Sequence, residues 1–174
     1  MNQRMICLLA AATFFMGGAS ASVVADTFTQ ITEQHTMTAS NKAVVETTLD
    51  AWMSGDAGAL AALLSDDIEW TIAGRSLAAG TTHGRAELMT KILAPFGARF
   101  AHSADPFRPR RINGVYADGD TVVAWFDGAG VANDGKPYAN SYVWLLSMQH
   151  GKVVRATAFF DSIAFDDLWR RVRP

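Results

Sequence analysis

An aspartate stands beside aromatic residues near the end of the chain, in a position that could carry acid–base chemistry. Asp161 directly follows Phe159 and Phe160, which close an apolar run. A carboxylate among aromatic rings is desolvated, which suits it to exchange a proton with a bound carbon acid. Aspartate is also a favoured N-cap residue, and a helix is predicted to follow. Asp161 is therefore a candidate catalytic acid or base, with a helix cap as the alternative.

A second polar candidate is Asn140, which lies within an otherwise apolar segment that reads as a strand. Its amide group can donate and accept hydrogen bonds at once. It could orient the carbonyl group of a substrate or hold Asp161 in place, and a structural role at the rim of a sheet is the alternative. We predict Asn140 as the catalytic partner of Asp161.

Four aromatic residues could form the walls of a ligand pocket around these groups. They are Trp70, Tyr142, Trp144 and Phe160. In small-molecule sites, aromatic rings supply apolar area while one or two polar groups fix the orientation of the ligand. Ordinary core packing is the alternative for each ring. The expected partner is a small apolar or aromatic molecule.

The sequence predicts neither a metal nor a cofactor. His83 and Glu87 stand four residues apart, but a metal site needs a third ligand, and no His-x-His motif or cysteine pair supplies one. No dinucleotide fingerprint or phosphate-binding glycine loop is present. A net charge of −2 gives no broad basic surface, which argues against a nucleic-acid partner despite the local cluster Arg108, Arg110 and Arg111.

The first half of the sequence shows helical spacing that could support such a pocket. Val45, Leu49 and Trp52 repeat at the period of one helix face, and Gly55 ends that pattern. A short second helix and an alternating strand over 68–72 follow. A loop with Gly80, Thr81 and Thr82 then leads to a third helix, which is predicted from about His83 or Gly84 to Phe96.

The second half is divided by turn signals into extended segments, which predicts an antiparallel meander. The four segments cover about 106–116, 121–132, 138–148 and 152–160, before a short C-terminal helix. Three helices that precede a curved, mostly antiparallel sheet indicate an α+β fold in which the helices cover one sheet face.

Two central strands suggest what covers the other face. The segments 122–126 and 142–146 are apolar without alternation, although a sheet with one wet face should alternate. Both faces are therefore predicted to be covered. A homodimer interface would cover the outer face, and deeper burial within the same chain is the alternative.

The N-terminus has the pattern of a secretory signal peptide. Arg4 precedes an apolar run, and Ala19-Ser20-Ala21 is a small-residue cleavage site. We predict a signal peptide over 1–21, a periplasmic or secreted mature protein, and no stable membrane anchor after cleavage. Residues 22–40 are polar and rich in threonine, which predicts a flexible lead-in.

The order of these elements resembles the nuclear transport factor two-like superfamily, and within it the SnoaL-like group that includes polyketide cyclases and relatives of ketosteroid isomerase. The resemblance covers about 41–169. It is carried by Trp52 with Gly55-Asp56, by residues 63–70, by Gly84-Arg85, and by residues 138–144, 151–154 and 159–161. It implies a SnoaL-like domain over 41–174 that forms a cone-shaped roll with an apolar pocket, often as a dimer.

The resemblance also bears on chemistry. It places the acid–base aspartate of cyclase-type members at Asp161, but it puts Thr71 and Val143 where ketosteroid isomerases carry acidic groups, which disfavours the steroid-isomerase mechanism. Three functions stay open. They are a cyclase or isomerase that transfers a proton next to a carbonyl, a non-catalytic protein that binds a small apolar ligand, and a dimeric interaction module.

Overall fold

The computed structural model describes residues 19–173, so the predicted signal peptide over 1–21 lies outside the described residues except for its last three positions. The chain divides into two units, of which the first ends at Glu33 and the second begins at Gln34. In the first unit, the described backbone is helical and the side chains of 26–33 are exposed. All remaining elements belong to the second unit.

The helices are few and mostly short. They are α1 (Ala19–Met53), α2 (Ala59–Leu63), α3 (Arg85–Leu88), α4 (Ala94–Ala98) and α5 (Ser162–Arg171), with a π-helical turn over Met89–Leu93 between α3 and α4. None of the helices in the described part of the chain is long and apolar enough to cross a membrane.

Six strands form one curved open sheet, which confirms the predicted α+β fold. They are β1 (Leu64–Ile72), β2 (Gly80–His83), β3 (Arg108–Asp118), β4 (Thr121–Val131), β5 (Pro137–Gln149) and β6 (Lys152–Phe160). The sheet order is β2-β1-β6-β5-β4-β3. All neighbouring pairs are antiparallel except β1 and β6, which are parallel. The sequence predicted β2 as a loop, because four residues with two adjacent threonines show no apolar period.

The helix α1 runs through residues 22–40, the segment that the sequence predicts as a flexible lead-in. The described side chains of this segment give no buried stripe, and threonine hydroxyls bond back to carbonyls one turn earlier. Thr27 Oγ1 donates to Val23 O at 2.8 Å, and Thr38 Oγ1 donates to Gln34 O at 2.8 Å. The domain boundaries stay predictions.

A proline explains why the third predicted helix is interrupted. Pro95 has no N–H group, and its ring crowds the carbonyl four residues earlier in a regular helix. The turn before it widens, so that Ala94 N–H donates to Met89 O, five residues back. The widened turn over Met89–Leu93 faces the core of the second unit.

Strand alternation decides which side chains face the helices. Along β5, the even-numbered residues from Tyr138 to Met148 are buried, whereas the odd-numbered ones are exposed or half-buried. Side chains of successive strand residues point to opposite faces, so this pattern defines an inner face under the helices and an outer face. Phe126, Leu146 and Met148 are among the most buried inner residues.

Candidate functional site

The inner face of the sheet and the helices above it enclose a cavity of about 300 Å³. Its sheet side includes the four aromatic residues selected from the sequence, namely Trp70, Tyr142, Trp144 and Phe160, together with Phe126, Ile72 and Ala158. The helix side comes from α1, α2, the π-helical turn, α4 and α5. Among the described residues that line it, none has a charged side chain.

Contacts between aromatic rings fix the sheet side of this cavity. Trp144 stacks on Trp52 from α1, with ring centroids 6.1 Å apart, and it meets the edge of Trp70 at 5.2 Å. Phe126 stacks on Tyr142 at 5.2 Å. Such pairs contribute about 0.5–1.5 kcal/mol each beyond the burial of their area, so the wall is largely pre-formed.

Phe107 closes another side of the cavity, and two glycines of β4 make room for it. A Cβ atom on Gly128 would lie 2.3 Å from Phe107 Cζ, and one on Gly130 would lie 2.6 Å from Phe107 N. Both distances are too short for a side chain. The glycines therefore allow the Phe107 ring to pack against Phe96 at 4.9 Å and Trp52 at 5.9 Å.

The cavity wall has one hydroxyl group, that of Tyr142, among the described lining residues. Its oxygen lies 2.8 Å from the hydroxyl oxygen of Tyr138. Asn140 stands between these two tyrosines on the same face of β5. Asn140 Nδ2 in turn donates to Tyr138 Oη at 3.0 Å. A line of buried polar groups thus leads from the cavity along β5.

Burial sets the protonation state of the two tyrosines. Loss of hydration raises the pKa of Tyr142 well above its ordinary value of 10.0, and the neighbouring Tyr138 raises it further. The pKa of Tyr138 is also raised, chiefly by burial. Both phenols are therefore neutral near pH 7 and able to donate hydrogen bonds.

Asn140 holds the backbone of Asp161, which was one of the two roles predicted for it. Asp161 N–H donates to Asn140 Oδ1 at 3.0 Å, and Asn140 Nδ2 donates to Asp161 O at 2.9 Å. Asn140 is buried but does not line the cavity. The structure therefore places Asn140 as a connector between β5 and the start of α5.

The side chain of Asp161 is where the sequence interpretation needs correction. The residue is exposed, not desolvated among aromatic rings, and it does not line the cavity. Its Oδ1 accepts a hydrogen bond from Ile163 N–H at 2.8 Å, which makes it the N-cap of α5. Because Phe160 faces the inner side at the end of β6, the next residue is directed away from the cavity.

Asn140 and Asp161 share a separate shallow groove with polar residues of the outer side, including Arg110, Asp127 and Ser141. A hydrogen bond from Ser141 is the main cause that holds the pKa of Asp127 below its ordinary range. This groove contains none of the four aromatic residues. The structure thus brings the predicted ligand-binding residues together but separates them from both predicted catalytic residues.

The residues weighed as metal ligands form a surface pair. His83 N–H donates to Glu87 Oε2 at 2.6 Å, and Glu87 also pairs with Lys91. Across the described part of the chain, no three His, Cys, Asp or Glu side chains are placed to hold a metal ion.

Sequence reasoning missed several cavity residues, among them Trp52, Phe107 and Phe126, and the polar role of Tyr138. The period of two along β5 could have found Tyr138, because it lies an even number of residues from Tyr142 and Trp144 on the same strand. Phe126 lies on β4, where no inner residue had been selected. Phe107 carries no such signal, since it precedes β3 and depends on the glycines of β4.

The outer face of the sheet exposes apolar side chains across four strands. We call the residues Tyr116, Val123, Trp125, Val143, Leu145 and Phe159 the outer patch. Trp125 opposes Val143, which opposes Phe159 on the next strand, so these positions are contiguous. Trp125 is 44% exposed and Phe159 45% exposed. The outer face is therefore not covered by the described chain itself.

A family model described as a SnoaL-like domain matches residues 45–156. The match covers the end of α1, the helices α2 to α4 and all the strands except the last part of β6, and it confirms the resemblance inferred from the motifs. A comparison with curated proteins gives no match.

Solved structures share the fold at low sequence identity. Bal32a from a soil-derived mobile gene cassette is 24% identical, with a TM-score of 0.61 over 77% of this chain and 99% of Bal32a. TerC, co-crystallized with polyporic acid, is 20% identical, with a TM-score of 0.57 over 75% of this chain and 98% of TerC. An LEH-like epoxide hydrolase of M. tuberculosis is 18% identical, with a TM-score of 0.53 over 78% of this chain and 92% of the hydrolase.

Proposed function

Because the chain belongs to the SnoaL-like family of the nuclear transport factor two-like superfamily, we propose that it binds a small, neutral, largely apolar molecule in the inner cavity. The observation that carries the proposal is the cavity of about 300 Å³, walled by aromatic rings. Pockets for small molecules begin at about this size and are mostly apolar, with a few placed polar groups. The co-crystallization of TerC, a protein of this fold, with the small molecule polyporic acid supports the proposal.

The absence of charged side chains among the described residues of the cavity wall supports an uncharged ligand. A charged group buried there would lose its hydration without gaining a partner, which costs several kcal/mol. An apolar ring system instead gains about 25 cal/mol for each Å² of apolar surface that it removes from water. A neutral ring-containing molecule is therefore the proposed ligand.

A cyclase or isomerase activity, with proton transfer next to a carbonyl, is the second candidate. One observation favours it, namely the buried Tyr142 phenol, since a phenol can stabilise an enolate oxygen. The described wall, however, holds no carboxylate to take the proton, and Asp161 caps α5 outside the cavity. Binding without turnover therefore explains more of the geometry.

A matched pair of cavity and surface variants tests the binding proposal. Ala61 lines the cavity, and its neighbour Ala62 on α2 is exposed outside it. The neutral fluorescent probe N-phenyl-1-naphthylamine should bind with saturation at one site. Ala61→Leu should weaken its affinity about tenfold, because added methyl groups overfill the space, whereas Ala62→Leu should leave it unchanged. Equal effects of the two variants, or no saturable binding, would contradict the proposal.

Hydrogen–deuterium exchange next to the carbonyl of a bound ketone separates the two candidates. If the protein only binds, the α-protons of 1-tetralone in deuterated buffer should exchange at the rate of the buffer alone, as followed by NMR. Exchange that is faster with protein, and that Ala61→Leu slows, would establish proton transfer in the cavity and replace the binding proposal with the enzymatic one.

We also propose export, on the strength of the N-terminal sequence pattern with its Ala19-Ser20-Ala21 site. The mature chain would begin near Ser22 in the periplasm or outside the cell. The intact mass of protein recovered from the exported fraction tests this, and retention of residues 1–21 would refute it.

Association of two copies through the outer patch is proposed from its exposed apolar side chains. The patch is bordered by groups of both signs, with Arg111 and Asp127 3.2 Å apart and Arg155 and Glu69 3.6 Å apart. A surface with both signs at its rim suits a second copy related by a two-fold axis.

Two leucines allow a controlled test of this association. Leu145→Glu places a charge in the patch, and Leu77→Glu makes the same change at an exposed leucine outside the sheet. Light scattering at micromolar concentration should give a dimer for the native chain and Leu77→Glu and a monomer for Leu145→Glu. A native monomer would refute the proposal.

A further inference from the structure

The orientation of the Asn140 amide follows from its two bonds to the same residue. Asp161 N–H can only donate, so the Asn140 atom 3.0 Å away must be the oxygen Oδ1. Nδ2 then faces Asp161 O at 2.9 Å and Tyr138 Oη at 3.0 Å. Asn140 therefore offers Tyr138 a donor and no acceptor.

This fixed donor limits where the proton of Tyr138 can go. Within the described residues, the remaining hydrogen-bond partner of the Tyr138 hydroxyl is that of Tyr142, at 2.8 Å. If Tyr138 donates to Tyr142, the Tyr142 proton is left for a group inside the cavity. In the reverse arrangement the Tyr138 hydroxyl would accept from both Asn140 and Tyr142, and its own proton would have no partner among the described residues.

The other polar side chains of the cavity wall are also donors. Trp52, Trp70 and Trp144 line the cavity, and an indole group can donate a hydrogen bond but cannot accept one. The described side chains of the wall therefore offer hydrogen-bond donors and lack a strong acceptor apart from the Tyr142 oxygen, which already faces Tyr138.

From this one-way series of hydrogen bonds we infer that Tyr142 donates to a carbonyl-type oxygen of a neutral ring ligand, with Tyr138 and Asn140 as positioning residues. The inference rests on the proposed binding function and specifies its ligand class. Ligands that carry ketone, aldehyde or quinone oxygens fit this donor, whereas ammonium groups, which can only donate, would meet only other donors.

Protonation of the phenol is secured by its burial, which raises the pKa of Tyr142 above its ordinary value. The Tyr142 phenol therefore keeps its proton over the whole pH range in which the protein would be assayed. A hydrogen bond given to a ligand is also stronger in this apolar surrounding than in water.

The test compares two ring compounds that differ in one carbonyl oxygen, 1-tetralone and tetralin. Affinities for the native chain and for Tyr142→Phe are measured by quenching of tryptophan fluorescence. Tyr142→Phe should lower the affinity for 1-tetralone by about three- to tenfold, which is the range of one net hydrogen bond. It should leave the affinity for tetralin unchanged. The unchanged tetralin affinity also shows that the variant is folded.

Infrared spectroscopy gives a readout that packing changes alone would not produce. The carbonyl stretch of bound 1-tetralone should lie at lower frequency in the native chain than in Tyr142→Phe, because a donated hydrogen bond weakens the C=O bond. Tyr138→Phe keeps the Tyr142 phenol but removes the hydroxyl group that donates to it. The carbonyl stretch of bound 1-tetralone should then lie between its frequencies in the native chain and in Tyr142→Phe.

The outcomes separate this inference from the proposed function. If both compounds bind but Tyr142→Phe changes neither the 1-tetralone affinity nor its carbonyl frequency, the role of Tyr142 is refuted while the binding function stands. If neither compound binds, the binding function itself is refuted, and the inference with it.

Discussion

Phe160 and Asp161 are neighbours in the chain, yet they belong to two regions of different chemistry. Phe160 is part of the cavity wall, where rings pack and no described side chain is charged. Asp161 lies at the junction between β6 and α5, where its side chain caps a helix and its backbone is held by Asn140. One step along a strand reverses the direction of the side chain, so adjacency in sequence does not place two residues in one pocket.

The comparison shows that the two regions use polar groups differently. At the junction, Asn140 satisfies backbone groups, which stabilises the fold. In the cavity, Tyr142 receives its orientation from Tyr138 and keeps a proton for a partner. A polar residue in an apolar strand can serve either purpose, and only the neighbouring donors and acceptors distinguish the two.

The largest expected effect compares the inner and outer faces at adjacent residues of β4. Phe126 is fully buried, whereas Trp125 is partly exposed. Phe126→Ala should lower the free energy of unfolding by about 3–5 kcal/mol, since it opens a cavity in the core. Trp125→Ala should lower the free energy of unfolding by less than about 1 kcal/mol.

Urea unfolding at two protein concentrations measures both effects and separates folding from association at the outer patch. Similar losses of stability for the two variants at low concentration would show that the faces are buried alike, which would break the comparison.

Asn140 provides the next test, at the polar junction. Asn140→Ala removes an amide that satisfies the N–H and C=O groups of Asp161, so it should lower the free energy of unfolding by about 2–3 kcal/mol. Ser141→Ala is the control, because Ser141 is the adjacent residue but is exposed on the outer face. It should cost less than about 0.5 kcal/mol.

Chemical denaturation gives both values, and tetralin binding should persist in Asn140→Ala under conditions where it is folded. Loss of tetralin binding in folded Asn140→Ala would mean that the junction and the cavity are one functional site.

Much of the fold could be predicted from local sequence patterns. The helical spacing of Val45 and Leu49 predicts the first helix. The turn residues Asp118-Gly119 and Gly135 separate the strands of the predicted meander. Such signals lie within one element, so a single sequence contains them. The four aromatic cavity residues could also be selected from their place in predicted strands, although the rings of Trp125 and Phe159, on strands of the same sheet, lie on the outer face.

The remaining details depend on contacts between distant parts of the chain. The Phe107 position is set by Gly128 and Gly130 on another strand. Burial of Asp161 was predicted from its aromatic neighbours in sequence, but the turn into α5 directs the carboxylate to Ile163 N–H. A helix cap and a catalytic aspartate have the same local sequence, so the sequence left both open.

Alkaline unfolding tests the buried tyrosines of the cavity side. Burial raises the pKa of both Tyr142 and Tyr138 in the folded chain above the value of about 10 in the unfolded chain. Their contribution to stability is therefore complete below pH 10 and is lost as the pH rises above it, since the unfolded chain releases these protons first. The slope should be about −1.4 kcal/mol per pH unit for each tyrosine.

Conservative variants assign this slope to residues. Tyr142→Phe should remove about one tyrosine's share of it, whereas Tyr116→Phe, at a ring that is 60% exposed, should leave it unchanged. Stability curves from pH 9 to pH 11 check this, and a native slope that survives loss of both buried phenols would show that they are hydrated in solution.

The smallest expected effect concerns Asp161, and it decides between the two roles that the sequence left open. As the N-cap of α5, its carboxylate satisfies Ile163 N–H, so Asp161→Ala should lower the free energy of unfolding by about 1 kcal/mol. Asn caps a helix about as well as Asp, so Asp161→Asn should be nearly neutral. Neither change should alter the affinity for 1-tetralone, because the side chain lies outside the cavity. If Asp161→Asn were fully stable and yet abolished a turnover reaction found for the native chain, the carboxylate would act on substrate, and β6 and α5 would have to move to bring it there.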